Sequence, residues 1–245
     1  MKSLLALVAV VLLTSNFSMA QEPQRNIGVS VILKPKLGMS FEYDQALQYY
    51  TTKFRKDAAW ALRVTRISGG PRSGCDILTQ PLKTWTELDG TKPYQTDSAG
   101  RAWQNVLKYC DDAQVNYYQY DEKNSNALTE IPSTAKYVSY NWVLDPKADS
   151  NAFEAEFKKV GPLLKAGGYN FSITKSLTGD TRFQVLMQLP NGFKDLDKKM
   201  PGYKELFLKA YPAKGAYETH SAIMDKSIGD FFVEYRTKRN TMSTR

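Results

Sequence analysis

The sequence predicts an α+β fold made of two tandem repeats, each with the element order β-α-β-β-α-β. The first observation is an internal echo: "VTRISGGPRSGCDILTQP" (residues 64–81) returns as "ITKSLTGDTRFQVLMQLP" (residues 173–190). The second is that shorter segments on both sides of this echo also recur, in the same order. Self-similarity of this kind indicates two structural repeats of about 105 residues.

The elements of the first repeat follow from periodicity and turn residues. Leu47, Tyr50 and Phe54 recur at helical spacing, whereas apolar and polar residues alternate in the predicted strands. "SGG" supplies a turn between the two central strands. The predicted order is strand 29–34, helix 41–56, strand 60–67, strand 75–80, helix 100–109 and strand 115–120.

The second repeat shows the same pattern. Phe153, Phe157 and Leu164 lie on one face of a predicted helix, in which Gly161 and Pro162 predict a kink. "TGD" supplies the turn between its central strands. The predicted order is strand 137–144, helix 150–165, strand 169–177, strand 182–189, helix 202–211 and strand 216–224.

This element order is the ferredoxin-like unit, in which helices cover only one face of the sheet. In the strand at residues 60–67, Leu62 and Val64 are predicted to face the helices, and Arg63 and Thr65 the opposite side. The uncovered face is therefore mixed and partly polar. Two such sheets packed face to face would enclose both of these faces.

The predicted arrangement resembles the dimeric α+β barrel superfamily. The resemblance also includes a "P-x-x-x-W-x-x-L" step after the third strand of the first repeat, with an aromatic echo in the second: Pro81, Trp85 and Leu88, then Pro190, Phe193 and Leu196. In most members two chains form the barrel, so the tandem repeat implies that one chain forms it here. We therefore expect a monomer rather than a dimer, with exchange between two chains as the alternative.

The N-terminal segment predicts export. A positive start is followed by the ten apolar residues "LLALVAVVLL" and by small residues at Ser18 and Ala20, the layout of a signal peptide cleaved near Ala20. The apolar run is too short to span a bilayer, although an anchor that stays attached is the alternative. The predicted organisation is a signal peptide at 1–20, a repeat at 21–124, a connector at 125–135 and a repeat at 136–245. We expect a secreted or periplasmic protein.

Charge and cysteine content narrow the function classes. The net charge of +8 comes without a basic helix or an aromatic-basic recognition module, so we expect no nucleic-acid partner. The charge would aid solubility or contact with an anionic envelope surface. Cys75 and Cys110 could form a disulfide after export, or remain two separate thiols. The absence of a CxxC motif gives no support for thioredoxin-like redox chemistry.

His220 is the only histidine and the candidate catalytic residue. As a general base it would suit proton transfer near neutral pH, and a hydrogen-bonded structural histidine is the alternative. The superfamily includes cofactor-free monooxygenases, isomerases and haem enzymes, and the resemblance implies that a haem ligand would lie on a helix. Because His220 falls in the predicted last strand, we expect neither haem nor another cofactor.

The predicted ligand-binding residues are aromatic or polar side chains of the strands. Aromatic rings with polar tips suit an aromatic or sugar-like ligand, whereas ordinary sheet packing is the alternative. A buried Arg63 would need an anionic ligand or an acidic partner, for which Asp76 is the candidate. The full predicted set is Arg63, Tyr118, Tyr120, Tyr140, Trp142, Gln184, Gln188 and Tyr217.

The sequence leaves three functional hypotheses. The first is an exported protein that binds a small, partly apolar or aromatic molecule in a barrel cavity or cleft. The second is a cofactor-independent enzyme, monooxygenase-like or isomerase-like, that uses His220 and nearby tyrosines. The third is a structural envelope protein whose barrel is filled by side chains. We find no phosphate loop, metal-binding carboxylate cluster or nucleophile elbow in the sequence.

Overall fold

The computed structural model describes residues 24–90, 92 and 95–244, so the predicted signal peptide at 1–20 lies outside the described residues. The first half contains β1 (Ile27–Pro35), α1 (Ser40–Phe54), β2 (Arg63–Gly69), β3 (Asp76–Thr79), α2 (Trp85–Asp89), α3 (Asp97–Leu107) and β4 (Cys110–Tyr120). The second half contains β5 (Lys136–Leu144), α4 (Ser150–Phe157), α5 (Val160–Ala166), β6 (Phe171–Ser176), β7 (Arg182–Leu189), a 3₁₀ helix (Phe193–Asp197), α6 (Tyr203–Ala210), α7 (Ala216–Ser227) and β8 (Ile228–Lys238).

The eight strands form one closed antiparallel barrel in the order β1-β3-β2-β8-β5-β7-β6-β4, with β4 pairing back to β1. Each half contributes four adjacent strands in the same relative order, which confirms the predicted tandem α+β architecture. The halves meet where β2 pairs with β8 and where β4 pairs with β6. Each half therefore covers both sheet edges of the other, and the barrel closes within one chain.

The two faces of the barrel wall differ as the alternation predicts. Leu62 and Val64 point outward and pack with Tyr43 and Leu47 of α1 in a buried cluster. In the second half, outward side chains of β6 and β7 pack against α4 and α5 in a second cluster. The inward side chains are mostly polar, because they face a cavity shared by the two sheets rather than the helices.

The predicted last strand, 216–224, is wrong. Residues 216–227 form α7, and the final strand is β8, which begins at Ile228. The prediction aligned the second repeat with the first, where β4 follows α3 directly, and the second half contains an additional helix at this point. His220, Met224 and Ser227 are buried at helical spacing, as expected for one face of α7. The segment "EYRTK", which resembles a basic tail, belongs to β8.

The helix predicted at 150–165 is also interrupted at a different place. It divides into α4 and α5 at Lys158 and Lys159, before the Gly161–Pro162 pair. Pro162 lies in the first turn of α5, where a proline is tolerated because its missing N–H has no intrahelical acceptor there.

Candidate functional site

The predicted site residues divide between two separate cavities. Five of them line a cavity of about 280 Å³ inside the barrel: Arg63, Tyr118, Tyr120, Gln184 and Gln188. The other four line a cleft of about 380 Å³ outside the barrel, between the sheet and the helices of the second half: Tyr140, Trp142, Tyr217 and His220. The sequence alone does not distinguish these two groups of residues. The alternation of β5 separates Tyr140 and Trp142 from the barrel interior.

The cleft is lined mainly by apolar and aromatic side chains. On the sheet side are residues of β5 and β7, including Tyr140, Trp142 and Met187. On the helix side, α5 contributes Val160 and Leu164, and the remaining wall comes from α6 and α7. Its volume falls within the range typical of small-molecule sites, which are mostly apolar with a few placed polar groups.

The polar part of this cleft is a chain of three hydrogen-bonded side chains. Nδ1 of His220 lies 2.8 Å from Oε2 of Glu156, and its Nε2 lies 2.9 Å from Oη of Tyr203. Lys159 also binds Glu156, with its Nζ 2.6 Å from Oε2. His220 is only 4% exposed, and its ring packs 4.5 Å from that of Phe207. Side chains of α4 and α6 thus hold the imidazole of His220 on α7 in place.

The protonation of this chain follows from its neighbours. Burial opposes ionisation of Glu156, but hydrogen bonds from Lys159 and His220 outweigh it and lower the pKa of the carboxyl group. Burial, reinforced by Tyr217 and Glu156, raises the pKa of the Tyr203 phenol, so it stays protonated at neutral pH. An ionised carboxylate only accepts hydrogen bonds. In the neutral imidazole, Nδ1 therefore donates to Glu156 and Nε2 accepts from Tyr203.

His220 lies on helix α7 and not on a strand, so its location by itself does not exclude a haem ligand. An axial ligand on a helix is what the resemblance implies for the haem-binding members. Nevertheless, Nε2 would have to coordinate the iron, and it already accepts a hydrogen bond from Tyr203. Both ring nitrogens of His220 therefore already have protein partners, and the residues as arranged do not fit a haem group. Among the described residues, no group of three or more His, Cys, Asp or Glu side chains is placed to hold a metal ion.

Glu156 and Tyr203 were not identified from the sequence. They lie 64 and 17 residues from His220 along the chain, and "EAEFKK" resembles an ordinary solvated helix face. The pairing predicted between Arg63 and Asp76 is wrong. Arg63 faces the barrel interior, whereas Asp76 faces the helices and binds Arg66 and Arg239 at 2.7 Å.

Of the two alternatives for Cys75 and Cys110, the structure shows the separate thiols: both cysteines are free. Cys75 packs with Ile67 and Ile77 on the inner side of the barrel wall. Cys110 packs on the outer side, against the cluster that contains Tyr43. A disulfide requires β-carbons that approach and face one another, which side chains on opposite faces of a sheet cannot do.

Comparison with solved structures shows the same fold in three proteins. One is a proposed monooxygenase from Lactobacillus acidophilus NCFM, with 10% sequence identity over 87% of this chain and 94% of that chain, at a TM-score of 0.51. A second proposed monooxygenase, from Fusobacterium nucleatum, has 9% identity over the same shares of the two chains and a TM-score of 0.55. An anthrone oxidase-like protein has 10% identity over 88% of this chain and 92% of that chain, at a TM-score of 0.52.

At these identities the comparisons establish the fold alone. No protein-family model matches the sequence, and no curated protein is similar to it. No helix in the described part of the chain is long and apolar enough to cross a membrane. The closed eight-stranded barrel, its two β-α-β-β-α-β halves and these structural neighbours agree. The chain has the fold of a dimeric α+β barrel, with both halves of the barrel supplied by one polypeptide.

Proposed function

We propose that the protein binds a small aromatic molecule bearing a hydroxyl group in the cleft of its second half. The observation that carries the proposal is the Glu156–His220–Tyr203 hydrogen-bond chain at the wall of a mostly apolar cleft. Tyr203 donates to His220, and its oxygen retains a lone pair that can accept from a ligand hydroxyl. The aromatic walls would bury the ring of the ligand, and the hydrogen-bonded side chains would bind its hydroxyl group.

The proposal predicts a difference between two probes of nearly equal size. We expect 1-naphthol to bind more tightly than naphthalene, because only 1-naphthol can donate to Tyr203. Isothermal titration calorimetry would compare the two with the wild type and with Tyr203→Phe. The substitution should weaken 1-naphthol binding by about fivefold to tenfold, the effect of one hydrogen bond, and leave naphthalene binding unchanged. Tyr211→Phe is the matched control, because Tyr211 does not line the cleft.

A second pair of variants tests the location. The first half has its own cleft of about 380 Å³, which is lined by Trp103 of α3, whereas Trp142 of β5 lines the second-half cleft. Trp142→Ala should weaken the binding of both probes, and Trp103→Ala should have no effect. Equal affinities of the two probes, or equal effects of the two tryptophan variants, would contradict the proposal.

Catalysis is the second candidate function, and the orientation of His220 favours it. Because Glu156 fixes Nδ1 as a donor, Nε2 is positioned as a base that can receive a proton through Tyr203. The names of the structural neighbours include monooxygenases and an anthrone oxidase-like protein. The reaction that the anthrone oxidase-like name suggests would begin when an enolised anthrone loses its hydroxyl proton through Tyr203 to His220. Molecular oxygen would then oxidise the electron-rich anion, converting anthrone and O2 to anthraquinone and water.

Oxygen uptake with anthrone, measured with an oxygen electrode, tests this candidate. We expect the wild type to accelerate uptake and His220→Gln to abolish the acceleration while retaining a cooperative unfolding transition. Equal uptake by wild type and variant would eliminate the catalytic role. Binding of 1-naphthol without oxygen uptake would support the binding function alone.

We also propose that the protein is exported. The support is the apolar run that precedes Ala20. Intact-mass measurement of the protein from its own host should give a chain that begins at Gln21. A chain that retains the initial apolar run would contradict this proposal.

A further inference from the structure

Four arginines converge on the cavity inside the barrel. Arg63 enters it from β2, Arg182 from β7 and Arg236 from β8, whereas Arg72 comes from the turn between β2 and β3. No aspartate or glutamate is among the described residues that line this cavity. Positively charged side chains repel one another strongly in a space shielded from water. Four arginines in one cavity therefore require negative charge nearby.

Glu234 is the carboxylate that compensates part of this charge. Its oxygens lie 2.6 and 2.8 Å from Nε and Nη2 of Arg72, and Oε2 lies 2.9 Å from Nη2 of Arg236. Glu234 is 0% exposed. One buried carboxylate is therefore shared between two arginines. Arg63 and Arg182 form no ion pair with the described residues, and Arg182 instead lies 5.5 Å from the ring of Phe232.

Three of these guanidinium groups contain a buried donor without an acceptor. The Nε atoms of Arg63, Arg182 and Arg236 are inaccessible to solvent and make no hydrogen bond within the described chain. Arg236 is the most buried, at 6% exposure, although its Nη2 binds Glu234 and Ser139. Buried donors in proteins are nearly always paired, and each exception needs an explanation.

The electrostatic environment agrees with this geometry. Burial lowers the pKa of the Arg182 guanidinium, and the nearby charge of Arg72 lowers it further, against the opposing effects of Glu234, Asp180 and Asp230. Burial also lowers the pKa of Arg236, although Glu234 opposes that effect. In both arginines the folded protein disfavours the positive charge, as expected when an anion is missing from the balance.

Neutral hydrogen-bonding groups surround the arginines. Hydroxyls and amides on five strands line the same cavity: Ser30, Thr79, Asn116, Ser172, Thr174 and Gln184. The connector between the halves covers part of it with Leu128, whose N–H donates to Oε1 of Gln188 at 2.7 Å. At about 280 Å³ the cavity is large enough for a small molecule but not for a polymer.

We propose that the barrel interior is a binding site for a small dianionic molecule whose charge resides on oxygen atoms, such as a phosphate or a dicarboxylate. Arginine forks bind both groups through paired N–H donors. This site is separate from the cleft that contains His220, because it lies on the opposite face of the sheet and shares no lining residue with that cleft.

Calorimetric titration of the full chain with inorganic phosphate and with succinate, at constant ionic strength maintained with sodium chloride, tests the site. We expect at least one dianion to bind with one-to-one stoichiometry. Arg182→Met should weaken that binding by about tenfold or more, since it removes a charge-assisted donor. The matched control is Arg101→Met, because Arg101 is exposed on α3 and does not line the cavity. It should leave the affinity unchanged.

Thermal unfolding of the same variants separates a ligand site from a structural role. Arg182 has no carboxylate partner to leave unpaired, so we expect Arg182→Met to unfold at the same or a higher temperature without a dianion, and to lose the dianion-dependent rise. If that variant fails to fold, Arg63→Gln replaces it with the same expectation. No binding of either dianion, or equal binding by Arg182→Met and Arg101→Met, would overturn the proposal. Binding of phosphate only or of succinate only would support it and identify the chemical class.

Discussion

Gly28 of β1 pairs directly with Tyr118 of β4, and the tyrosine ring lies over the glycine where a β-carbon would be. The absence of a side chain at residue 28 therefore allows Tyr118 to line the barrel cavity. Gly28→Ala should destabilise the protein by about 1–3 kcal/mol, as expected for overpacking at a buried position. Urea unfolding would measure this.

Gly100 provides the control for that substitution. It lies in the interior of α3, where an added β-carbon would have no neighbour within 4 Å. Gly100→Ala should stabilise the protein by roughly 0.5–1 kcal/mol, because alanine loses less conformational entropy in a helix. Two alanine substitutions with effects of the same sign would contradict this account of Gly28.

Asp76 attaches the C-terminal segment to the first half. Its carboxylate is 0% exposed and lies 2.7 Å from Arg66 and from Arg239. Asp76→Asn should cost about 3–5 kcal/mol, because it leaves two guanidinium groups without their buried charge. Asp44→Asn is the matched control, since Asp44 contacts the same two arginines but is about one third exposed. Asp44→Asn should cost about 1 kcal/mol or less. Equal costs of the two substitutions, measured by chemical denaturation, would contradict this prediction.

Glu234 should make stability depend on pH in the acid range. Burial opposes its ionisation, but Arg72 and Arg236 outweigh this effect and lower the pKa of its carboxyl group below the ordinary value of 4.5. The stabilisation is thus complete above pH 4.5 and is lost as the pH falls through the lower folded value. Glu234→Gln should cost about 3–5 kcal/mol at pH 7. The difference from wild type should decrease only below about pH 5, and a difference that is constant down to pH 3 would contradict the assignment.

The two thiols should be slow to react. Burial, reinforced by Asp76, raises the pKa of Cys110 from 9.0 to about 11. In a Cys75→Ser variant, iodoacetamide should modify Cys110 at pH 8 about 100-fold more slowly than an ordinary thiol. The rate should rise with pH until about pH 11. Mass spectrometry after mild oxidation should also find no loss of two hydrogens from the wild type, whereas a disulfide would contradict the opposed placement of the two side chains.

The local pattern of the sequence determined the repeat, the strands and their faces. The echo between residues 64–81 and 173–190 corresponds to the equivalent hairpins β2–β3 and β6–β7. Alternation correctly assigned Leu62 and Val64 to the helix side and Arg63 to the interior. These properties depend on the backbone periods of strand and helix, which operate over a few residues and are therefore visible in a single sequence.

Only the tertiary structure decided which polar groups meet. Glu234 and Arg236 resemble an exposed basic tail in the sequence, yet closure of the barrel buries them together. Alignment of the two repeats predicts a strand at His220, whereas the second half has at this point a helix that the first half lacks. Its partners Glu156 and Tyr203 come from other elements. Such contacts depend on strand register and on helix packing across the whole chain. The periodicity of a short segment therefore does not reveal them.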